Sequence, residues 1–322
     1  MTSRLRSGWH NAAWSVRAAS FLVRQPWRGR EAEIRAGQDA TPVLDGLGAT
    51  TRLRAALHSL RPGRDRNHHG EIWAVTMVRN EEDIIVHAVE NLLAQGVDRV
   101  LVADNLSTDA TRDVLLPLVH SGRVILISDM LNAYWQSEKM TRLARLATLA
   151  GAEWIVPFDA DEIWLTESGL PLRAFFDACD ADIVFADMHH YAPIEVSSSD
   201  NPVARYQLRE PASGPKKVAF RSNYLARIWT GNHTVLHPGV ATGGLTIAHF
   251  PYRSFEQMER KIRIGAKALE ATTHEVSVGS HWRHLARNSP EEQQSHWQEL
   301  VARSDLVHDP VPIWRVDPDA TV

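Results

Sequence analysis

The stretch Ile72-Trp73-Ala74-Val75-Thr76-Met77-Val78, followed at once by Arg79-Asn80-Glu81-Glu82-Asp83, decides the fold. Its apolar part is too compact for an amphipathic helix and reads as a buried parallel strand. Asn80 stands where a helix N-cap belongs, with Asp83 three positions on and acidic side chains filling the first turn. The predicted helix carries Ile84, Ile85, Ala88, Val89, Leu92 and Leu93 on one face and stops at Gly96.

The same alternation continues outward. Val100 to Ala103 is a second strand, and Ser107 or Thr108 is positioned to cap a helix that buries Val114, Leu115, Leu118 and Val119 and closes at Gly122. Val124 to Ile127 is a third strand, Glu138 to Leu149 a third helix ending at Gly151, and Trp154 to Phe158 a fourth strand. Strands alternating with helices imply right-handed crossovers and a Rossmann-like, mostly parallel sheet covered on both faces. Beyond residue 180 the pattern loosens into a mixed C-terminal half. Ile183 to Ala186, Lys217 to Phe220, Thr234 to Leu236 and Leu245 to His249 read as strands, and Ser254 to Leu269 and Pro290 to Ala302 as helices. The organisation expected is an N-terminal extension over 1–68, an α/β domain over 69–275 and a helical tail over 276–322.

Composition narrows the function classes. Hydrophobic residues are 44% and charged residues 23%, the mix of an ordinary globular protein. No apolar run approaches the roughly 18 residues of a membrane span, and no secretory signal is evident. The single cysteine, Cys179, excludes an internal disulfide and a Cys-rich zinc site, so a reducing cytoplasm is the expected location. The net charge of −4 is uneven: residues 1–70 hold 12 arginines against 5 acidic residues, with Trp9, Trp14 and Trp27 among them. Such a segment suits peripheral contact with an anionic membrane surface. The acidic remainder argues against nucleic acid as a partner.

In an open parallel sheet, ligands bind beyond the carboxyl ends of the strands. Three polar groups fall there: Arg79-Asn80-Glu81, Asp104-Asn105 and Asp159-Ala160-Asp161-Glu162. Three carboxylates within four residues repel one another unless neutralised. Mn²⁺ or Mg²⁺, which take oxygen ligands and bridge to phosphates, are the expected neutralisers. His233 and His237 have the spacing of a helical metal pair, but they lie between Gly231-Asn232 and Pro238-Gly239. In extended chain, residues four apart are roughly 13 Å apart, so they are not expected to share a metal. Trp164 is a candidate for stacking on a sugar or base, with core packing as the alternative. Arg221, Lys216 and Lys217 are candidates for phosphate attraction, with a solvated strand edge as the alternative.

Thr76-Met77-Val78-Arg79-Asn80-Glu81-Glu82, Val102-Ala103-Asp104-Asn105-Leu106-Ser107-Thr108-Asp109-Ala110-Thr111 and Phe158-Asp159-Ala160-Asp161-Glu162 resemble the signature blocks of family 2-like glycosyltransferases with the GT-A fold. Gly231-Asn232-His233 and His249-Phe250-Pro251-Tyr252-Arg253-Ser254 look like blocks of a bacterial branch of that superfamily. The resemblance implies a metal-dependent transfer of sugar from a nucleotide-sugar donor to a glycan, glycolipid or small-molecule hydroxyl acceptor, with inversion. It implies that Asp104 contacts the base or ribose and that Val78 and Arg79 line the same pocket. It assigns Asp159 and Asp161 to an aspartate-x-aspartate motif, Asp161 nearest the metal and Asp159 nearer the ribose or sugar. His249 would be a further metal ligand, and Arg253 would neutralise the diphosphate.

Two blocks depart from the pattern. The small-residue-Arg-Asn motif is missing around Arg142 and Arg145, and the Glu-Asp pair that supplies the family's catalytic base is absent. Candidates for the base are Asp187, His189, His190, His233 and His237, with position favouring His233 or His237 and Asp187 following a strand-like run. A catalytically silent nucleotide- or sugar-binding domain is the alternative. A sugar-phosphate nucleotidyltransferase is disfavoured, because Arg-Asn-Glu-Glu stands where a Gly-rich loop and Lys belong.

Overall fold

The computed structural model describes residues 70–193, 203, 206–270 and 280–312. The expected extension over 1–68 lies outside them, as does His189's downstream neighbourhood from 194 to 202. The first half alternates as the apolar spacing requires: β1 (Glu71–Val78), α1 (Ile85–Ala94), β2 (Arg99–Asp104), α2 (Thr111–His120), β3 (Val124–Ser128), α3 (Gln136–Ala150) and β4 (Ala152–Pro157). There follow β5 (Glu162–Thr166), α4 (Leu172–Asp177), β6 (Ile183–His190), β7 (Leu208–Arg209), β8 (Lys217–Arg221), β9 (Arg227–Ile228), a 3₁₀ turn (Thr230–Asn232), β10 (Val235–Leu236) and β11 (Ala241–His249). The chain then runs through α5 (Phe255–Glu270), α6 (Ser280–Leu285), α7 (Pro290–Val301) and β12 (Val307–His308).

Eight strands form one sheet in the order β3-β2-β1-β4-β8-β6-β11-β5. β1 pairs in parallel with β2 and β4, β2 with β3, and β6 with β11, while β8 and β5 are antiparallel to their neighbours. Strand order reverses at β1, so the crevice between the ends of β1 and β4 is the topological switch point where ligands bind. One face is packed by α1, α2 and α4 through Ile84, Leu92, Leu115, Phe176 and their neighbours. The other is packed by α3 through Met140, Leu143 and Ala147. That division places the crossover helices on both faces, as the alternation demands. Gly96 and Gly151 end their helices at φ +91° and +107°, a left-handed backbone that only glycine adopts without strain.

Two helix-cap expectations are corrected, and Trp164 takes the core-packing reading. Asn80 does not cap α1; it sits at φ 56°, its N–H donating to Ser107 Oγ at 3.0 Å and its Oδ1 accepting from Thr108 N at 2.7 Å. The strand-end loops are thereby tied to each other rather than to their own helices, and neither α1 nor α2 has a side-chain cap. Trp164 is fully buried in the core, where its side chain contacts Glu162 rather than open solvent. The residues after Asp161 form β5, which pairs with β11 at the far edge of the sheet.

This last connection bends the sheet. Four inter-strand steps separate β4 from β5, about 19 Å if the sheet were flat. Glu162 N donates to Asp159 O at 3.1 Å, closing a turn, so Pro157 to Glu162 spans roughly 14 Å at most. The sheet therefore curls, bringing the ends of β6 and β11 over the carboxylate turn. Residues 280–312 return to the body: Trp297 of α7 packs on Met258 and Ile262 of α5, and β12 pairs with β7.

Candidate active site

Val78, Asp104, Asp159 and Asp161 all emerge at the carboxyl ends of β1, β2 and β4, on one rim. Asp104 is 3% exposed. Its Oδ2 accepts from Arg112 at 3.0 Å, while its Oδ1 is buried with no partner among the described residues. A buried carboxylate oxygen left unpaired is costly, and a ligand hydroxyl or base N–H would satisfy it. Arg79 reaches across the same crevice to Asn132 at 2.6 Å. The loop carrying Asn132 is held by Asn105, which donates to Asp129 and to Leu131 O, and by the Lys139–Asp129 ion pair at 2.6 Å.

The turn 159–162 separates its three carboxylates into different environments. Asp159 accepts from Gln136 at 3.3 Å and Asn232 at 3.1 Å, and its Oδ2 lies 2.6 Å from Lys217 Nζ. Glu162 turns inward, fully buried, with Lys217 Nζ 2.8 Å away. Lys217 is therefore a buried counter-ion on a central strand rather than a solvated edge residue. Burial opposes its charge, but Asp159 and Glu162 outweigh that and hold the ammonium above the usual lysine range.

Asp161, 5% exposed at its side chain, gathers basic groups around a single oxygen. Lys261 Nζ of α5 is ion-paired with Oδ2, His249 Nε2 is 3.5 Å away and Arg253 Nη1 is 4.0 Å away. Burial works against ionisation, but Lys261 foremost, then His249 and Arg253, hold the Asp161 carboxyl well below the ordinary range. Phe250 N donates to Asp161 O at 2.9 Å, locking the end of β11 to the turn. Behind His249, its Nδ1 lies 2.7 Å from Nδ1 of His190, so one ring donates to the other.

Arg253 does not face open solvent. Its guanidinium forks onto Glu81 and Asp83 and donates to Phe250 O, with 3% of the side chain exposed. It clamps the C-terminal half to the β1–α1 loop: four of its five N–H groups are taken by Glu81, Asp83 and Phe250 O, and Nη1 lies 4.0 Å from Asp161. The acidic residues that the sequence placed in a helical first turn are this clamp.

The structure separates the candidate bases. His233 Nδ1 lies 2.9 Å from Lys216 O, which makes Nδ1 the N–H and leaves Nε2 the lone pair. That Nε2 sits over Gly231, where an added Cβ would come within 2.4 Å; with φ +81° besides, the position requires glycine. Burial and then the Lys217 ammonium push the His233 imidazole down, so it is neutral near pH 7. His237 contacts Arg221 O at 3.0 Å, and Arg221 pairs in register with Trp154 near the start of β4. It lies on the opposite rim, and the structure does not bring it to the carboxylates. Asp187 lies on β6 in an ion pair with Lys216, partly exposed. His189 is held near Arg209, 3.5 Å away.

A divalent cation is implied by the family resemblance, and the donor set can be tested against it. Among the described residues no three His, Cys, Asp or Glu side chains converge as a cage. Of the predicted trio Asp159, Asp161 and His249, Asp159 is engaged with Lys217, Gln136 and Asn232, whereas Asp161 and His249 lie 3.5 Å apart. A carboxylate and an imidazole sharing one space fit Mn²⁺ or Mg²⁺ that completes its shell with phosphate oxygens and water. The charge balance agrees. Glu81, Asp83, Asp159, Asp161 and Glu162 face Lys217, Arg253 and Lys261, five carboxylates against three cations.

The sequence does not single out Lys261, and it offers Lys217 as a candidate for phosphate attraction rather than as the buried partner of Asp159 and Glu162. Lys261 did leave a signal: it lies three residues after Met258 and four before Gly265 on the buried stripe of α5, an unusual place for a charge.

The family model described as Glycosyl transferase family 2 matches residues 73–226. A search of curated protein sequences gives no match. Among solved structures, TarS 1–349 of S. aureus in complex with UDP-GlcNAc is 13% identical, with 72% of this chain and 81% of that chain covered and a TM-score of 0.39. Glucosyl-3-phosphoglycerate synthase from Mycobacterium tuberculosis in complex with Mn²⁺, UDP and phosphoglyceric acid is 20% identical over 40% of this chain and 49% of that chain, with a TM-score of 0.28.

Proposed function

From the premise that residues 73–226 are a family 2 glycosyltransferase domain, we propose that this enzyme transfers a sugar from a nucleoside diphosphate donor to a hydroxyl acceptor, with inversion and with a divalent cation at Asp161 and His249. The observation that carries the reading is the buried Oδ1 of Asp104, unpaired among the described residues, on the same rim as Asp161. It gives a polar anchor for the nucleoside at the switch-point crevice, with Val78 and Arg79 beside it. The five-to-three excess of carboxylates supports a place for a divalent cation.

Bound there, Mn²⁺ or Mg²⁺ would supply Lewis-acid stabilisation of the departing diphosphate. The chain's own residues do the rest. Lys217 holds Asp159 in place toward the sugar, and Asn232 and Gln136 fix its second oxygen. His233, neutral and with Nε2 available, takes the proton of the acceptor hydroxyl as it attacks the anomeric carbon from the face opposite the leaving group. Acceptors of glycan, glycolipid or small-metabolite type all offer such a hydroxyl.

The experiment is thermal unfolding against UDP, GDP, ADP and CDP, with and without Mn²⁺, beside Asp161→Asn. One nucleotide should stabilise the protein by about 2.7 kcal/mol at a hundredfold excess over its Kd, and only with both the metal and Asp161. Failure of every nucleotide would overturn the proposal. Among the described residues no helix is long and apolar enough to cross a membrane. The proposed placement, argued from the arginines and tryptophans of segment 1–68, is peripheral, at the anionic inner face of a membrane on its cytoplasmic side. Equal sedimentation with anionic vesicles after removal of 1–68 would refute that.

A further inference from the structure

We propose that Lys261 is a diphosphate-binding residue that guards Asp161 in the free enzyme and moves its ammonium to the diphosphate when a divalent cation takes Asp161. The inference rests on the reading of the rim as a donor site. It starts from a conflict over one atom. Asp161 Oδ2 is ion-paired with Lys261, with His249 Nε2 and Arg253 Nη1 beyond. A divalent cation held between Asp161 and His249 would compete with the ammonium for that oxygen, because His249 Nε2 lies 3.5 Å from the same atom. Cation and ammonium on one carboxylate repel each other, which favours the ammonium's leaving.

Among the cations of the cluster, only Lys261 has room to do so. Arg253 is 3% exposed and fixed by Glu81, Asp83 and Phe250 O. Lys217 is 4% exposed and fixed between Asp159 and Glu162. Lys261 is 21% exposed, and among the described residues its hydrogen bonds go to Asp161 and, at 3.4 Å, to Pro251 O. Its four-carbon stem swings the charge without disturbing the helix. A diphosphate bridged to a cation on Asp161 lies within that swing, because bound Mg²⁺ or Mn²⁺ shares its shell with phosphate oxygens. The diphosphate brings the negative charge that the displaced ammonium needs. Lys261 thus links the two ligands: metal alone binds against a competitor, and the donor removes that competition.

The test measures Mn²⁺ binding alone by EPR, and UDP, GDP and ADP binding at saturating Mn²⁺ by calorimetry, in wild type and Lys261→Gln. The expected result is opposite shifts: Mn²⁺ alone tighter by about tenfold, and the nucleotide weaker by roughly ten- to hundredfold. Parallel weakening of both, or no change in either, would overturn the proposal while leaving the donor site itself standing. A wild-type chain that binds neither Mn²⁺ nor any nucleotide would overturn both. A second measurement needs no variant. Acetylation of Lys261 in the native wild-type chain, read by mass spectrometry, should rise on adding Mn²⁺ alone and fall again when the nucleotide joins it. Labelling that ignores both additions overturns the proposal.

Discussion

Lys217→Met should be among the most destabilising single changes in this protein, and its neighbour Lys216→Met among the mildest. Lys217 Nζ lies 2.6 Å from Asp159 and 2.8 Å from Glu162, with 4% of its side chain and none of Glu162's exposed. Removing the ammonium leaves a fully buried carboxylate beside a second one. Breaking one partner of a buried pair costs about 3–5 kcal/mol, because the remaining charge is neither solvated nor compensated. At about 2–4 °C per kcal/mol, the unfolding midpoint should fall by roughly 6–20 °C. Lys216, 56% exposed and paired with the 36% exposed Asp187, should contribute no more than about 1 kcal/mol. The pH dependence gives a further check. Burial raises the Glu162 carboxyl even with Lys217 present, and without the ammonium it rises more. A raised carboxyl binds its proton in the folded state before the unfolded one does, so stability falls as pH rises above the unfolded value near 4.5. The cost of Lys217→Met should therefore shrink from pH 7 toward pH 5. Adding Glu162→Gln should recover part of it, with a coupling energy of at least about 1.5 kcal/mol in a double-mutant cycle. Chemical denaturation of the four proteins at both pH values is the assay. A Lys217→Met variant within about 1 kcal/mol of wild type, or no worse than Lys216→Met, would refute the buried counter-ion.

Four other outcomes are expected. Asp161→Asn should abolish the Mn²⁺-dependent stabilisation by nucleotide and lower transfer by a factor of about 10³, as loss of a charge-stabilising group does; retained stabilisation in the melting assay would contradict it. Asp104→Asn should weaken nucleoside diphosphate binding by roughly tenfold in calorimetry without changing Mn²⁺ binding alone. His233→Gln should lower kcat by about 10²–10⁴ with donor affinity kept, while His237→Gln, on the other rim, should stay near wild type; equal losses in steady-state kinetics would remove His233 from its role. The fourth concerns acid. Burial, and then the neighbouring His249, push His190 down to about 4. Its unfolded-state imidazole takes protons first as pH falls below about 6.5, so native stability is full above that pH and declines toward pH 4. Discounted for the partial exposure of the ring, the contribution is on the order of 1–2 kcal/mol. His190→Asn should flatten this acid limb in denaturation curves at pH 7, 6 and 5, and an unchanged slope would refute it.

The local pattern of residues 71–158 determines most of the fold, because helix and strand periodicities, glycine stops and the short apolar runs are all local signals. β1 to β4 and their helices stand where those signals place them, and the polar residues after each strand therefore share a rim. That much of the site was legible: Asp104, Asp159 and Asp161 lie at strand ends, and strand ends converge in any parallel sheet. His249 follows from a later strand whose end the curled sheet carries over the same turn. β5 was not legible, since Glu162-Ile163-Trp164-Leu165-Thr166 becomes a strand only through pairing with β11, some eighty residues downstream in sequence. The electrostatic identity of the site was not legible either. Three adjacent carboxylates announce that something positive is needed, but what supplies it is a matter of distance in space. The lysines that do so lie 58 residues from Asp159 and 100 from Asp161 along the chain. Spacing could say that His233 and His237 would not share a metal, but not which one faces the carboxylates. β8 runs antiparallel to β4, so a few residues of travel along it cross from one rim of the sheet to the other. Charge pairing and access to the crevice are long-range quantities, fixed by the curl of the sheet and by the helix that lies over its rim.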